Sequence, residues 1–206
     1  MQKIKNTNSD PAGKTKQPPS KAQILAAFGK RVPDIIAPGL KVLFVGINPG
    51  LYSGATGHHF ARPGNRFWPV LHQAGFTEAQ LSPAEERLLL DLGYGITNIV
   101  SRATAAASEL RPEELKSGGR RLIARIKRTQ PRIVAVLGLG AYRTAFGRPS
   151  AHFGPQDEMI GSAQLWVLPN PSGLNASYQL NDLVRLFREM RRAAEVKDGF
   201  QGSCRV

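Results

Sequence analysis

Lys41-Val42-Leu43-Phe44-Val45-Gly46-Ile47-Asn48-Pro49-Gly50 begins as a short apolar, β-branched run and ends in two glycines and a proline. The run predicts a buried strand. Its end predicts a tight turn that exposes backbone N–H groups and carries Asn48 at the tip. Further strand-like runs follow at Ile96–Val100, Arg132–Leu137 and Leu165–Leu168. Helical patterns lie between them. Asn65–Gly75 has Phe67, Trp68, Val70 and Leu71 as its apolar positions, and Ser82–Leu92 opens with Ser82-Pro83 as cap and first turn. Pro112–Thr129 carries Leu115, Leu122, Ile123 and Ile126 on one side and arginines and lysines largely on the others, and Leu180–Ala194 closes the pattern. Short apolar strands alternating with helices predict a layered α/β fold with a mainly parallel sheet. In such folds the working residues sit in loops at the C-terminal ends of strands.

Each of those loops has more than one reading. Gly46–Gly50 is not a phosphate-binding P-loop, because no Gly-Lys-[Ser/Thr] follows. Taken alone, its asparagine is better explained by the turn's own hydrogen bonding. Gly138-Leu139-Gly140 starts like a dinucleotide fingerprint, but Arg143 stands where the third glycine belongs, so it reads as a strand-to-helix turn. Pro169-Asn170-Pro171-Ser172-Gly173-Leu174-Asn175 is a stiff loop with an apolar tip; an isolated exposed leucine is ordinary, and in a basic protein it also suits a wedge between base pairs. His58 and His59 are adjacent and point apart with no third ligand nearby, which argues against a metal site.

The 206 residues fit one domain, at 41% hydrophobic and 21% charged. No run approaches the roughly 20 apolar residues of a membrane span, and no apolar segment follows the N-terminal lysines as a secretory signal would require. The formal net charge of +13 favours polyanions, nucleic acid above all. A single cysteine, Cys204, excludes an intrachain disulfide and any Cys-x-x-Cys metal or cluster site. Residues 1–31 read as a disordered basic arm with a short helix near Ala22–Phe28, residues 32–195 as the folded domain, and residues 196–206 as a flexible tail.

Four motifs in register carry a resemblance. Gly46-Ile47-Asn48-Pro49-Gly50, Gly57-His58-His59-Phe60, Pro63-Gly64-Asn65-Arg66-Phe67-Trp68 and Asn170-Pro171-Ser172-Gly173-Leu174 resemble the mismatch-specific uracil-DNA glycosylases and the catalytic core of thymine-DNA glycosylases. The likeness runs from about Asp34 to about Arg191. It implies a three-layer α/β/α sandwich. It also implies hydrolysis of the N-glycosidic bond of uracil or thymine, or of a damaged pyrimidine such as ethenocytosine, opposite guanine in double-stranded DNA. The reaction would leave an abasic site and use no metal and no other cofactor. By position, Asn48 matches the residue that holds the catalytic water, and Phe60 the aromatic that stacks on the flipped base. Ile47, Gly50, His59, Asn98 and Asn170 fall on the base pocket, and Ser172, Gly173 and Leu174 on the intercalating wedge. After the wedge leucine the bacterial pattern of the family has serine and arginine, where this chain has Asn175 and Ala176. The expected protein is a monomer, cytoplasmic, associated with DNA and with no membrane.

An amide has no useful pKa near neutrality, so Asn48 would orient water without deprotonating it, and modest rates are expected. Asp91, before the second strand, is the nearest candidate carboxylate for extra activation; its plainer reading is a solvated helix-end aspartate. Two other classes compete with the glycosylase reading: a non-catalytic module that senses mismatched or damaged DNA, and an enzyme of free nucleosides, which the basic charge disfavours.

Overall fold

A computed structural model describes residues 17–199. Five strands form one sheet: β1 (Val42–Gly46), β2 (Tyr94–Asn98), β3 (Ile133–Leu137), β4 (Gly154–Ile160) and β5 (Ala163–Leu168). Their order is β2-β1-β3-β5-β4; the first four neighbours run parallel, and β4 pairs antiparallel with β5. The helices are α1 (Lys21–Leu25), α2 (Leu51–Thr56), α3 (Phe67–Gln73), α4 (Pro112–Thr129), α5 (Leu139–Phe146) and α6 (Leu180–Gly199), with 3-10 turns at Pro83–Leu89 and Ala107–Glu109.

The two-residue period of the strands divides the core. Val42 and Phe44 of β1, with Ile133, Ala135 and Leu137 of β3, meet Phe67, Leu71 and Phe187 from α3 and α6. Leu43 and Val45, with Val134 and Val136, meet Leu122, Ile126 and Tyr142 from α4 and α5. Both faces of the sheet are therefore covered, which is the three-layer sandwich. Phe44 anchors the first layer, with edge-on contacts to Phe67 and Phe76 at 5.4 Å and a stacked contact to Phe187 at 6.1 Å. In the second layer, Gly118 and Gly119 let α4 approach its neighbours. A Cβ at either would lie 2.3 Å from a carbonyl oxygen, of Ile99 and Ala145 respectively.

The departures from the expected elements have local causes. β2 ends at Asn98, two residues earlier than Val100, because the parallel register leaves β1 at the Gly46–Asn98 pair. Ser82–Leu92 is a 3-10 turn over Pro83–Leu89; Ser82 still closes its start in a capping box with Glu85. α3 starts only at Phe67, whose N–H donates to Asn65 Oδ1. The fourth expected strand is the fifth, because β4 lacks an apolar signature: it is an edge strand in which Asp157 and Met159 face solvent.

Residues 1–16, most of the segment read as an arm, lie outside the described residues, as do 200–206. The described segment from Gln17 is largely exposed up to Ala26 and joins the domain at Ala27. Ser20 caps α1, Ala27 is buried, and the backbone of Gly29–Lys30 exchanges two hydrogen bonds with Ala103, at 2.9 and 2.8 Å.

Candidate active site

The connection from β1 to β2 runs to one side of β1, and β3 lies on its other side, so a crevice opens at the C-terminal ends of these strands. A cleft of about 350 Å3 occupies it, lined by Gly46–Gly50, His59, Phe60, Asn98, Asn170 and Leu174 among others. That volume falls within the range of roughly 300–1,000 Å3 usual for small-ligand sites.

Asn48 is held by its amide nitrogen. Nδ2 donates to Thr104 Oγ1 at 2.7 Å, Arg102 O at 3.0 Å and Pro49 O at 3.1 Å. Thr104 Oγ1 gives its own proton to Ala106 O at 2.8 Å, so toward Asn48 it can only accept. Three acceptors therefore surround one end of the amide and fix which end is nitrogen. Oδ1 accepts no hydrogen bond from any described residue and is left to the cleft. The Arg102–Thr104 segment is itself braced. The Arg102 guanidinium pairs with both Glu114 carboxylate oxygens at 2.6 and 2.9 Å, and that pairing holds the Glu114 carboxyl down at about 2.

The opposite wall is a relay of buried polar groups. His59 is 2% exposed and Asn98 8%. His59 Nε2 lies 2.9 Å from Pro33 O, which can only accept, so this nitrogen carries the proton. Burial lowers the His59 pKa despite the opposing pull of Glu86, so the ring is neutral and Nδ1 is an acceptor. It receives the Asn98 amide NH2 at 3.3 Å. Asn98 Oδ1 then lies over Gly46, where a Cβ would come within 2.4 Å of it; only glycine fits there. Pro33 is kept in place through Asp34, which accepts from Thr97 Oγ1 at 2.6 Å and pairs with Arg125 at 3.1 Å. Glu86, 4% exposed, accepts from the His59 backbone N–H at 2.7 Å and from His58 Nδ1 at 3.0 Å.

Phe60 lines the cleft with its ring laid on Phe67, centroids 4.0 Å apart and planes 22° apart. Its φ of +51° is a left-handed conformation, which costs a non-glycine residue on the order of 1–2 kcal/mol. The strain turns the corner that brings His59 and Phe60 to the same cleft. Across from it, Asn170 Oδ1 accepts the Ser172 N–H at 3.0 Å, and Leu174 stands 69% exposed at the tip of its loop.

Residues 33–194 match the family model of the Uracil DNA glycosylase superfamily. The chain belongs to the uracil DNA glycosylase superfamily. A similar fold occurs in the solution NMR structure of a Methanosarcina acetivorans protein provisionally named a uracil DNA glycosylase. The identity is 17% and the TM-score 0.54, over 80% of this chain and 99% of that one. At that identity the likeness concerns the fold alone. Membership in the superfamily supports DNA glycosylase chemistry and DNA as the partner.

In this superfamily member the fold brings Ile47, Asn48, Gly50, His59, Phe60, Asn98, Asn170, Ser172 and Leu174 to one cleft, and Gly173 to its rim beside Arg62–Asn65. It does not bring Asp91 there. Asp91 is exposed and precedes β2, so the full length of that strand, about 13 Å at 3.3 Å per residue, separates it from the Asn98 end. Among the described residues no carboxylate lines the cleft, and no group of three or more His, Cys, Asp or Glu could hold a metal ion. No described helix is long and apolar enough to cross a membrane.

Thr104 and Glu86 carry no local signal of their roles in the sequence, and Arg66 lies in one of the family motifs without a sign of what it holds. Thr104 is the nearest to being readable, since the rule that points to loops after parallel strands applies to β2 as well. Asn175, which departs from the family pattern, ties its own loop together. Its Nδ2 donates to Asn170 O at 3.0 Å, and its Oδ1 accepts from the Ser177 N–H at 3.2 Å.

Proposed function

We propose that the chain hydrolyses the N-glycosidic bond of uracil, and of thymine or a damaged pyrimidine, opposite guanine in duplex DNA. The observation that carries this reading is the saturated Asn48 nitrogen beside an Oδ1 that no described residue engages, in a cleft that no described carboxylate lines. The target base is flipped out of the stack; a mismatched pair opens at lower cost than a matched one. Leu174 fills the vacated space, with Ser172 and Gly173 against the remaining guanine. The base enters the cleft against the free face of Phe60. Asn98 offers it one N–H and Oδ1, a donor and an acceptor that suit the O4 and N3–H of uracil or thymine and mismatch the N4 amino group of cytosine.

Asn48 Oδ1 then accepts a hydrogen bond from a water and aims its oxygen at C1′. The C1′–N1 bond breaks with oxocarbenium character at the sugar, and its electron pair leaves on N1 of the base. The water oxygen bonds to C1′ and its proton passes to solvent. Backbone N–H groups of the Ile47–Gly50 turn stabilise the departing anion. With no carboxylate of the described residues in the cleft, the rate rests on placement of the water and on leaving-group stabilisation.

The test is to incubate the protein with duplexes holding G·U, G·T, A·U or ethenocytosine and with single-stranded uracil DNA, and then to cleave abasic sites. Cleavage of G·U above A·U is expected. Binding of mismatched duplexes without cleavage of any substrate would overturn catalysis and leave a mismatch-sensing module.

A further inference from the structure

Arg66 stands just before α3, half-buried, and its guanidinium is committed to backbone carbonyls. Nε donates to Pro171 O at 3.4 Å, Nη1 to Tyr178 O, and Nη2 to Ser172 O at 2.6 Å and Asn175 O at 2.9 Å. The Arg66 backbone N–H also donates to Pro171 O, at 3.0 Å. One side chain thus gathers four carbonyls from the loop that carries Leu174. It pairs with no carboxylate among the described residues.

The loop's other hydrogen bonds, those of Asn170 and Asn175 among them, run within the loop itself and do not tie it to the domain. Pro169 and Pro171 have no N–H to give, and the Leu174 N–H has only Ser172 Oγ, at 3.3 Å. Four carbonyl dipoles converging on one point repel one another unless a cation sits among them. The planar fork of five N–H groups on arginine satisfies several at once, which a lysine ammonium does less well. The loop is also seated against Gly64: a Cβ at Gly173 would come within 2.6 Å of Gly64 O.

We propose that Arg66 is the positioning residue of the Leu174 wedge. It fixes the loop's conformation before DNA arrives, so that base flipping does not also bear the cost of ordering the loop. This rests on reading Leu174 as a wedge, and the test separates the two.

Amide hydrogen exchange in the full chain reads the positioning without any activity. In Arg66→Gln the Asn175 N–H, which donates to Ser172 O at 2.9 Å, exchanges about tenfold faster or more, while amides of β1 and β3 exchange as in wild type. Unchanged exchange at Asn175, or equal acceleration in the strands, overturns the proposal. Arg66→Lys keeps the charge and loses the fork; it recovers only part of the protection, and full recovery contradicts the role given to the fork. Single-turnover cleavage of a G·U duplex reads the consequence. Arg66→Gln and Leu174→Ala each slow it, and the double variant is slower than the worse single variant by less than about twofold. Fully multiplying losses overturn action through Leu174. Absence of cleavage by wild type sinks the glycosylase reading and leaves the exchange result to decide on Arg66.

Discussion

At the residue scale the site depends on side chains whose unused atoms are set by their used ones. Asn48 offers Oδ1 because Nδ2 is engaged three times, and Asn98 is oriented because His59 is neutral and singly protonated on Nε2. The second statement has a pH consequence. Burial holds the His59 pKa below 6.5 against Glu86, Pro33 O and Asp34, which all favour the cation. As pH falls through about 6.5 the unfolded chain takes up a proton at this position that the folded chain does not, so folding stability falls. Urea unfolding between pH 7.5 and 5.5 should show a shallower loss of stability in His59→Asn than in wild type. An identical slope would mean that His59 titrates alike in both states. Asn48, Phe60 and Leu174 are marked in the sequence by the motifs that carry the family resemblance, not by turn chemistry alone. The roles of Glu86, Arg66 and Thr104 are not marked there, since each matters through a partner 27, 112 or 56 positions away.

Elements show the same division. The parallel strands are readable because both their faces are buried and the apolar run is continuous. β4 is not, because half of it faces water and its Gln156-Asp157-Glu158 centre is polar. α4 spans the expected Pro112–Thr129, yet its Gly118-Gly119 pair gives no sign of purpose in the sequence, since glycine in a helix interior ordinarily only weakens it. The packing supplies the reason. Gly119→Ala gains helix propensity but drives a methyl into Ala145 O, and overpacking of this kind costs about 1–3 kcal/mol. Chemical denaturation should therefore show a net loss of stability; a gain would mean that α5 moves aside freely.

For the whole molecule, the basic charge and the braced N-terminal segment are separate properties. The chain carries +13 overall, and the segment at Gly29–Arg31 pairs with Arg102–Ala103, beside the carbonyl that holds Asn48. Deleting residues 1–16, which carry Lys3, Lys5, Lys14 and Lys16, should reduce the salt dependence of DNA binding. The log–log slope should fall by about 0.9 for each phosphate that the truncated chain no longer neutralises. Single-turnover cleavage of bound duplex should stay intact. Deleting residues 1–31 should slow cleavage as well, because the pairing of Gly29–Arg31 with Arg102–Ala103 is gone. Equal cleavage rates for the two truncations would show that this pairing is dispensable.

The central claim is that Asn48 places the hydrolytic water and does little else. Single-turnover cleavage of a G·U duplex by wild type and Asn48→Ala, with affinity measured on an uncleavable duplex of the same sequence, tests it most directly. The account predicts a rate loss of at least about 100-fold with affinity within about threefold. Cleavage by Asn48→Ala at the wild-type rate would contradict it.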